Sequence, residues 1–126
     1  MHTVETEWWS LDLPEEWEAE QEEETIVIGD DDGVGVLEIT ALERDEADDG
    51  DLEVLAQQLF PALAAKPTTI GDFSGLYFEY RDEGDAVREW VVRKGAQIVL
   101  VTYSCDDENA GLDDEIVDEI LQTLRA

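Results

Sequence analysis

The sequence is short of positively charged side chains. Its 126 residues include 7 Lys and Arg against 35 Asp and Glu, which gives a formal net charge of −28 at pH 7. Proteins recognise nucleic-acid phosphates and anionic lipid head groups with basic surfaces. The composition therefore excludes most nucleic-acid binding, and it argues against binding to a membrane surface.

Histidine and cysteine are equally scarce, which limits the catalytic chemistry. The single histidine is His2, and the single cysteine, Cys105, is flanked by Asp106 and Asp107. Catalytic triads and Cys–His pairs need a positioned base, and neighbouring carboxylates disfavour a thiolate. Zinc centres built from several His or Cys residues are excluded by count. We expect no catalytic residue, and we interpret Cys105 as a small core residue.

Long apolar runs are absent as well. The longest nearly continuous run, Ile98 to Val101, is far shorter than the ~20 residues that span a bilayer. The first residues contain neither the basic nor the apolar region of a secretory signal, and one cysteine cannot form an intramolecular disulfide. These features predict a cytoplasmic protein.

Apolar side chains are nevertheless plentiful. Hydrophobic residues make up 43% of the chain, including four Trp, three Tyr and three Phe. This is enough to build one core, so a wholly disordered acidic chain is excluded. The length suits a single domain over residues 1–126.

Apolar periodicity predicts the secondary structure. Short apolar runs bounded by Gly, Pro or Asp indicate strands, and apolar residues at every third or fourth position indicate helices. We predict strands over residues 4–13, 25–28, 35–41, 75–81, 86–94 and 97–105. One amphipathic helix is predicted from Asp51, kinked or ended by Pro61, and a second over 113–125. Residues 18–24 are interpreted as an extended piece or a short solvated segment, and 66–72 as a linker with room for a short strand.

The order of these elements predicts the fold class. Short turns require antiparallel neighbours, and each amphipathic helix must bury its apolar stripe on the sheet. The strand at 97–105 is apolar on both faces, which places it in the middle of the sheet. We predict an α+β fold in which a central antiparallel sheet of about six strands is flanked by two main α-helices. The strands at 75–81, 86–94 and 97–105 should be consecutive neighbours.

Six segments resemble the PsbP-like superfamily. They are the Leu-Pro-Glu-Glu-Trp entry at 13–17, the strand at 32–41, the helix start at 51–56, the strand at 75–80, the Thr-Tyr-Ser-Cys strand at 100–105 and the closing helix at 116–125. The superfamily includes extrinsic photosystem proteins, a Ran-binding nuclear transport factor, bacterial lipoproteins and chaperones of secreted toxins. The resemblance implies a single PsbP-like domain that binds rather than catalyses. It maps no functional residue onto this chain.

Asp30, Asp31 and Asp32 are the candidates for a cation site. A calcium loop that began at Asp30 would need oxygen side chains at its fifth and twelfth positions, which are Val34 and Ala41. Asp and Gly are also typical of hairpin turns. We interpret this segment as a turn, and we predict no dedicated metal site and no cofactor.

Four tryptophans are the candidates for a partner-binding surface: Trp8, Trp9, Trp17 and Trp90. Large aromatic side chains serve recognition surfaces, but they also fill the core between a sheet and its helices. Both interpretations stay open.

Glu79 and Glu89 are the carboxylates of most chemical interest. Each lies in a predicted strand beside an aromatic residue, and a pair facing each other across the hairpin would suit a hydrolase. The alternative is that they lie on a solvent face and pair with Arg81, Arg88 or Arg93.

We expect a non-enzymatic, protein-binding domain from a salt-adapted bacterium. Acidic residues are dispersed along the whole chain, which favours adaptation to a salty cytoplasm. The alternatives are an immunity protein or effector chaperone that masks a basic partner, and a small-molecule hydrolase that uses strand carboxylates. The partner is an unidentified protein, and a homodimer is left open.

The charge predicts that salt stabilises the fold. Folding brings like charges closer together, and the screening length falls from ~10 Å at 0.1 M salt to ~3 Å at 1 M. We expect the melting temperature to rise steeply at the low end of a titration from about 0.05 M to 2 M NaCl. Na₂SO₄ at matched ionic strength controls for strengthened hydrophobic burial. A melting temperature that stays flat in NaCl would reject the salt-adapted interpretation.

Overall fold

The computed structural model describes residues 2–6, 9–22, 25–30, 35–43, 66–94, 97–112 and 114–125. These residues form nine strands and one α-helix. The strands are β1 (His2–Glu5), β2 (Ser10–Leu13), β3 (Trp17–Glu22), β4 (Thr25–Asp30), β5 (Gly35–Glu43), β6 (Lys66–Ile70), β7 (Phe73–Asp82), β8 (Asp85–Lys94) and β9 (Gln97–Asp106). A 3₁₀ turn at Asp107–Asn109 leads to the helix α1 (Asp114–Gln122).

Seven strands form one antiparallel sheet in the order β3-β4-β5-β9-β8-β7-β6. The predicted adjacency of the last three strands of the sequence is confirmed, because β8 pairs with both β7 and β9. The predicted central position of β9 is also confirmed, since three strands lie on either side of it. A strand in the middle of a covered sheet suits a sequence that has apolar side chains on both of its faces.

The predicted α+β class, with about six strands and two main flanking α-helices, is wrong. The described residues are mostly β, with a seven-stranded sheet, a separate two-stranded sheet and a single α-helix, α1. The extra strands come from the segment interpreted as extended or solvated and from the linker with room for a short strand. They form β3 and β6 at the two edges of the large sheet. The helix predicted from Asp51 falls outside the described residues.

The N-terminal segment forms a hairpin of its own. The single strand predicted over residues 4–13 is divided into β1 and β2, which pair with each other from His2 opposite Leu13 to Glu5 opposite Ser10. The turn between them is closed by Thr6, whose N–H donates to the Trp9 carbonyl oxygen at 2.9 Å. The division leaves Leu11 and Leu13 completely buried.

One face of the large sheet, which we call the inner face, carries the core. Residues that lie opposite each other in an antiparallel pair share a face, and side chains alternate along each strand. The register therefore assigns to this face the buried residues Trp17, Ile28, Leu37, Ile39, Phe73, Trp90, Val92, Val99, Val101 and Tyr103. They form one cluster with Leu11 and Leu13 of β2 and with Val117, Ile120 and Leu121 of α1. The β1–β2 hairpin and α1 thus pack on the inner face, as predicted for the C-terminal helix.

The opposite face of the sheet has two unlike halves. Over β7, β8 and β9 it buries Phe78, Val91 and Ile98 to 2% exposure or less. Over β3, β4 and β5 it carries exposed side chains, including Val36 at 39% exposure and Glu38. The two halves therefore have different surroundings, although they belong to one continuous sheet.

The end of α1 is tied to the sheet and to the hairpin through backbone contacts. The Asp72 N–H donates to the Leu124 carbonyl oxygen at 2.9 Å, and Ser10 and Arg125 exchange two backbone hydrogen bonds of 2.8 and 2.9 Å. Gly71 makes the first contact possible. Its φ of +58° is left-handed, and a Cβ at this position would overlap the Leu124 carbonyl oxygen.

Gly71→Ala is expected to destabilise the protein more than Gly84→Ala. Both glycines have a positive φ, so both substitutions incur a backbone penalty of about 1–2 kcal/mol. Only Gly71 also faces a backbone atom, whereas a Cβ at Gly84 would meet no atom within 4 Å. We expect a further loss of about 1–3 kcal/mol at Gly71, typical of overpacking, in urea unfolding. Equal losses for the two variants would contradict this role of Gly71.

Candidate functional site

The two strand carboxylates singled out from the sequence lie on opposite faces of the sheet. In the β7–β8 ladder, Glu79 pairs with Arg88, and Glu89 pairs with Phe78. Glu79 therefore shares the inner face with Arg88, and Glu89 shares the opposite face with Phe78. The two carboxylates do not face each other across the hairpin, because a one-residue offset in register moves a side chain across the sheet. The alternative of a solvent-face residue beside an arginine fits Glu79, which is exposed opposite Arg88, but not Glu89, which is buried.

Glu89 is the one buried charged residue in the described part of the chain, with 8% exposure. Its carboxylate accepts hydrogen bonds from Thr102 Oγ1 at 2.7 Å and from the Tyr80 hydroxyl at 3.2 Å. Burial raises the pKa of Glu89 above its ordinary value, the two hydrogen bonds lower it in part, and the negative charge of Glu38 adds to the rise. A carboxyl group in this position is stabilised in its protonated form.

Tyr80 is held in its protonated form beside this carboxylate. Burial raises the pKa of Tyr80 to about 12, and the charge of Glu89 and the hydrogen bond to it contribute to the rise. The hydroxyl therefore donates to Glu89 at neutral pH. Tyr80 and Thr102 each donate to one carboxylate oxygen of Glu89, so both oxygens of the buried group accept a hydrogen bond.

Arg88 organises a second polar cluster, on the inner face. Its Nε donates to the Tyr77 hydroxyl at 2.7 Å, and its terminal nitrogens donate to Asp118 at 2.8 Å and to Asp114 at 3.4 Å. The guanidinium carbon lies 4.7 Å from the Trp90 ring centroid and 5.4 Å from that of Tyr77. Arg88 thereby joins the sheet to α1 through its ion pairs, while the cation–π contacts hold its guanidinium against the aromatic rings of the sheet.

The protonation states in this cluster follow from the same contacts. Burial and the hydrogen bond to Glu79, at 2.6 Å, raise the pKa of Tyr77 well above its ordinary value, and Arg88 opposes the rise. Burial by itself would lower the pKa of Arg88, but its hydrogen bonds to Tyr77 and Asp118 raise it above its usual value. Arg88 stays charged and Tyr77 stays neutral, so the cluster can donate and accept hydrogen bonds without exchanging protons near neutral pH.

A cleft of about 230 Å³ lies beside Arg88, between the sheet and the segment that precedes α1. Its lining residues include Glu79, Arg81, Tyr103, Cys105, Gly111 and Asp114. Arg81 is already paired with Asp107 at 2.5 Å. The cleft brings together cations that are engaged with acids of the same chain, and Cys105 is 7% exposed at its wall.

The sequence-predicted cation candidates receive no structural support. Asp31 and Asp32 lie outside the described residues, and Asp30 is the last residue of β4. In the described ranges, no group of three or more His, Cys, Asp or Glu side chains is arranged to hold a metal ion.

Three of the four tryptophan candidates fill the core. Trp9, Trp17 and Trp90 are 2–3% exposed and belong to the core cluster of the inner face. Their burial favours the interpretation of these residues as core residues. Trp8 lies outside the described residues.

Sequence reasoning missed one surface. The register places Glu18, Glu20, Glu22 and Glu38 on the exposed half of the opposite face, together with Thr25 and Val27 of β4. We call these six residues the acidic strand surface. A shallow groove of about 380 Å³ runs between Glu22, Thr25, Val27 and Glu38. The alternation of Glu at 18, 20 and 22 was a signal for it, but the density of charge in this segment hid the strand.

Glu89→Gln tests the buried carboxyl group through the pH dependence of stability. Because the folded-state pKa of Glu89 is raised, the folded protein binds more protons than the unfolded chain once the pH exceeds 4.5, and wild-type stability falls as the pH rises further. A glutamine side chain does not bind or release a proton in this pH range. We expect the free energy of unfolding of Glu89→Gln to rise relative to the wild type as the pH increases above about 4.5.

Urea unfolding at several pH values measures this difference. The exposed variant Glu119→Gln is the matched control, because it removes one carboxylate from the solvent side of α1. A difference between Glu89→Gln and the wild type that did not vary with pH would contradict the shifted pKa.

Comparison with known proteins rests on structure. No family model matches the chain, and no curated protein matches it. No helix in the described residues has the length and apolar character needed to cross a membrane.

Solved structures share the fold. A crystal structure from Bacteroides thetaiotaomicron has a TM-score of 0.73 at 20% identity, covering 94% of this chain and 45% of that one. The solution structure of the cyanobacterial PsbP protein CyanoP, from Synechocystis, has a TM-score of 0.69 at 11% identity, covering 99% and 91% of the two chains. LpqN of Mycobacterium tuberculosis, described as involved in cell envelope biogenesis, has a TM-score of 0.62 at 17% identity, covering 92% and 81%. This chain thus spans less than half of the first structure and most of the other two, and its fold is PsbP-like.

Proposed function

We propose that this protein is a non-enzymatic accessory domain that binds another protein. The observation that carries the proposal is the PsbP-like fold, which extends over 99% of the chain in the comparison with CyanoP. The binding role implied by the sequence resemblance fits this fold. Since the fold alone can support many activities, the polar groups of the chain supply the remaining support.

The geometry of the strand carboxylates supports a non-enzymatic role. General acid–base chemistry by a carboxylate pair requires both groups to reach one substrate from the same cavity. Glu79 and Glu89 lie on opposite faces of the sheet. Glu89 is engaged with Tyr80 and Thr102, and Glu79 with Tyr77. This arrangement disfavours the hydrolase alternative.

The charge supports a salty cytoplasm as the setting and a basic protein as the partner. Among the described cations, Arg81, Arg88, Lys94 and Arg125 each pair with an aspartate of the same chain. Most of the described cations are therefore engaged within the chain, and Lys66 is exposed without a described ion pair. An immunity protein or effector chaperone that covers a basic surface is the second candidate, favoured by the open acidic strand surface.

Photo-crosslinking in host cells tests the proposed function. A crosslinking amino acid placed at the exposed positions Glu16, Val36 and Glu108 should capture a discrete polypeptide from one of these sides of the molecule. The purified partner should then bind with a defined stoichiometry by calorimetry and be recovered chemically unchanged. Substrate turnover that disappeared in Glu79→Gln or Glu89→Gln, with the fold intact, would contradict the proposal and favour a hydrolase.

A further inference from the structure

We propose that the acidic strand surface is the docking site for an extended, Lys- or Arg-rich segment of the partner protein. This inference rests on the proposed function and names the surface and the partner chemistry. It starts from the contrast between the two halves of the opposite face. Val87 and Val91 are 6% and 0% exposed in one half, whereas Val36 is 39% exposed in the other and Val27 is half-buried.

The register brackets an apolar residue between two carboxylates. Glu20 lies directly opposite Val27, and Val27 lies directly opposite Glu38, so the three residues form one row across β3, β4 and β5. With neighbouring strands ~4.8 Å apart, Glu20 and Glu38 are about 10 Å from each other at the backbone. A lysine or arginine can lay its aliphatic stem on Val27 and direct its charged head to either carboxylate.

The spacing along β3 fits an extended partner. Glu18, Glu20 and Glu22 are exposed on the same face and recur at every second residue, about 6.6 Å apart. An extended segment presents alternate side chains with the same repeat. Basic residues at alternate positions of such a segment can therefore meet successive glutamates, whereas a helix presents its side chains with a different period.

The carboxylates of this surface form no ion pair with another described residue. In the described part of the chain, none of Glu18, Glu20, Glu22 and Glu38 takes part in an ion pair. Three of the paired cations, Arg81, Arg88 and Lys94, lie on the inner face according to the register. Within the described residues, the negative charge of this surface is therefore not compensated by an ion pair.

Other occupants fit less well. A second copy of this chain would bring another strongly acidic surface against it, at a net charge of −28 per copy. A single calcium ion binds oxygen ligands at about 2.3–2.6 Å, which suits converging carboxylates rather than two that bracket a valine. A basic polypeptide satisfies both the charge and the apolar floor.

A matched pair of quadruple variants tests the surface. The first is Glu18→Gln, Glu20→Gln, Glu22→Gln and Glu38→Gln. The control is Glu16→Gln, Glu83→Gln, Glu108→Gln and Glu119→Gln, which replaces four exposed glutamates elsewhere and leaves the same net charge. The probe is a fluorescein-labelled peptide of alternating Lys and Thr, measured by fluorescence anisotropy at about 0.15 M NaCl, near physiological screening.

We expect the first variant to weaken peptide binding about tenfold and the control variant less than about threefold, because several exposed ion pairs are lost together only in the first. A peptide of the same composition with its lysines grouped at one end should bind about fivefold more weakly than the alternating peptide. Backbone amide shifts on peptide addition should concentrate in β3, β4 and β5. Equal weakening in the two variants, equal binding of the two peptides, or shifts centred elsewhere would overturn the proposal.

A titration with calcium chloride alone tests whether the surface binds a simple cation instead of a peptide. If it reproduced the amide shifts of the peptide at matched ionic strength, the surface would be a cation site and the docking proposal would fail. The proposed function fails separately, when no polypeptide crosslinks in host cells. A crosslinked native partner that bound the first quadruple variant as tightly as the wild type would reject the docking site and leave the proposed function standing.

Discussion

The pairing of β9 with its two neighbours is the interaction on which the rest of the structure depends. β9 pairs with β5 over nine residue pairs and with β8 over ten. The pairing with β5 brings together two strands that lie about 60 residues apart in the sequence. On the inner face β9 supplies Val99, Val101 and Tyr103 to the core, and on the opposite face it supplies Ile98 and Thr102. The register of this pairing is fixed by β5, in which buried Leu37 and Ile39 alternate with exposed Glu38. The register in turn decides which side chains of β5 and β8 share a face.

The same register separates three kinds of chemistry that a linear sequence mixes together. Arg88 lies on the inner face, where Trp90 and Tyr77 pack beside its guanidinium and Asp118 of α1 accepts its hydrogen bond. Glu89, the next residue, is buried on the opposite face with Tyr80 and Thr102. The acidic strand surface lies on that opposite face too, but beyond β9. Adjacent residues thus serve helix docking and sheet stabilisation, and neither is free to act with the other on a shared substrate.

Salt weakens both the like-charge repulsion and the ion pairs of this protein, and the two effects oppose each other in stability. Like-charge repulsion at −28 favours expansion of the chain and is relieved by screening. Ion pairs such as those of Arg125 with Asp12 are screened by the same ions, but exposed pairs contribute little to stability. The net effect of salt is therefore set by the dispersed carboxylates. A basic partner bound at the acidic strand surface would lower the same repulsion locally. We therefore expect partner binding and salt to stabilise the fold in the same way, by reducing the repulsion between carboxylates.

Much of the sheet followed from the sequence by itself, because strands that bury one or both faces carry strong apolar patterns. The hairpin of β4 and β5, the consecutive β7, β8 and β9, the central place of β9 and the C-terminal helix were predictable for this reason. β3 was not, since a strand at a sheet edge with three glutamates on one face has the composition of a solvated loop. Only the tertiary structure decided that Glu79 and Glu89 lie on opposite faces, that three tryptophans are core residues, and that Glu20 and Glu38 bracket Val27. These relations depend on register and strand order, and register is set by contacts between residues far apart in the chain, which local patterns do not encode.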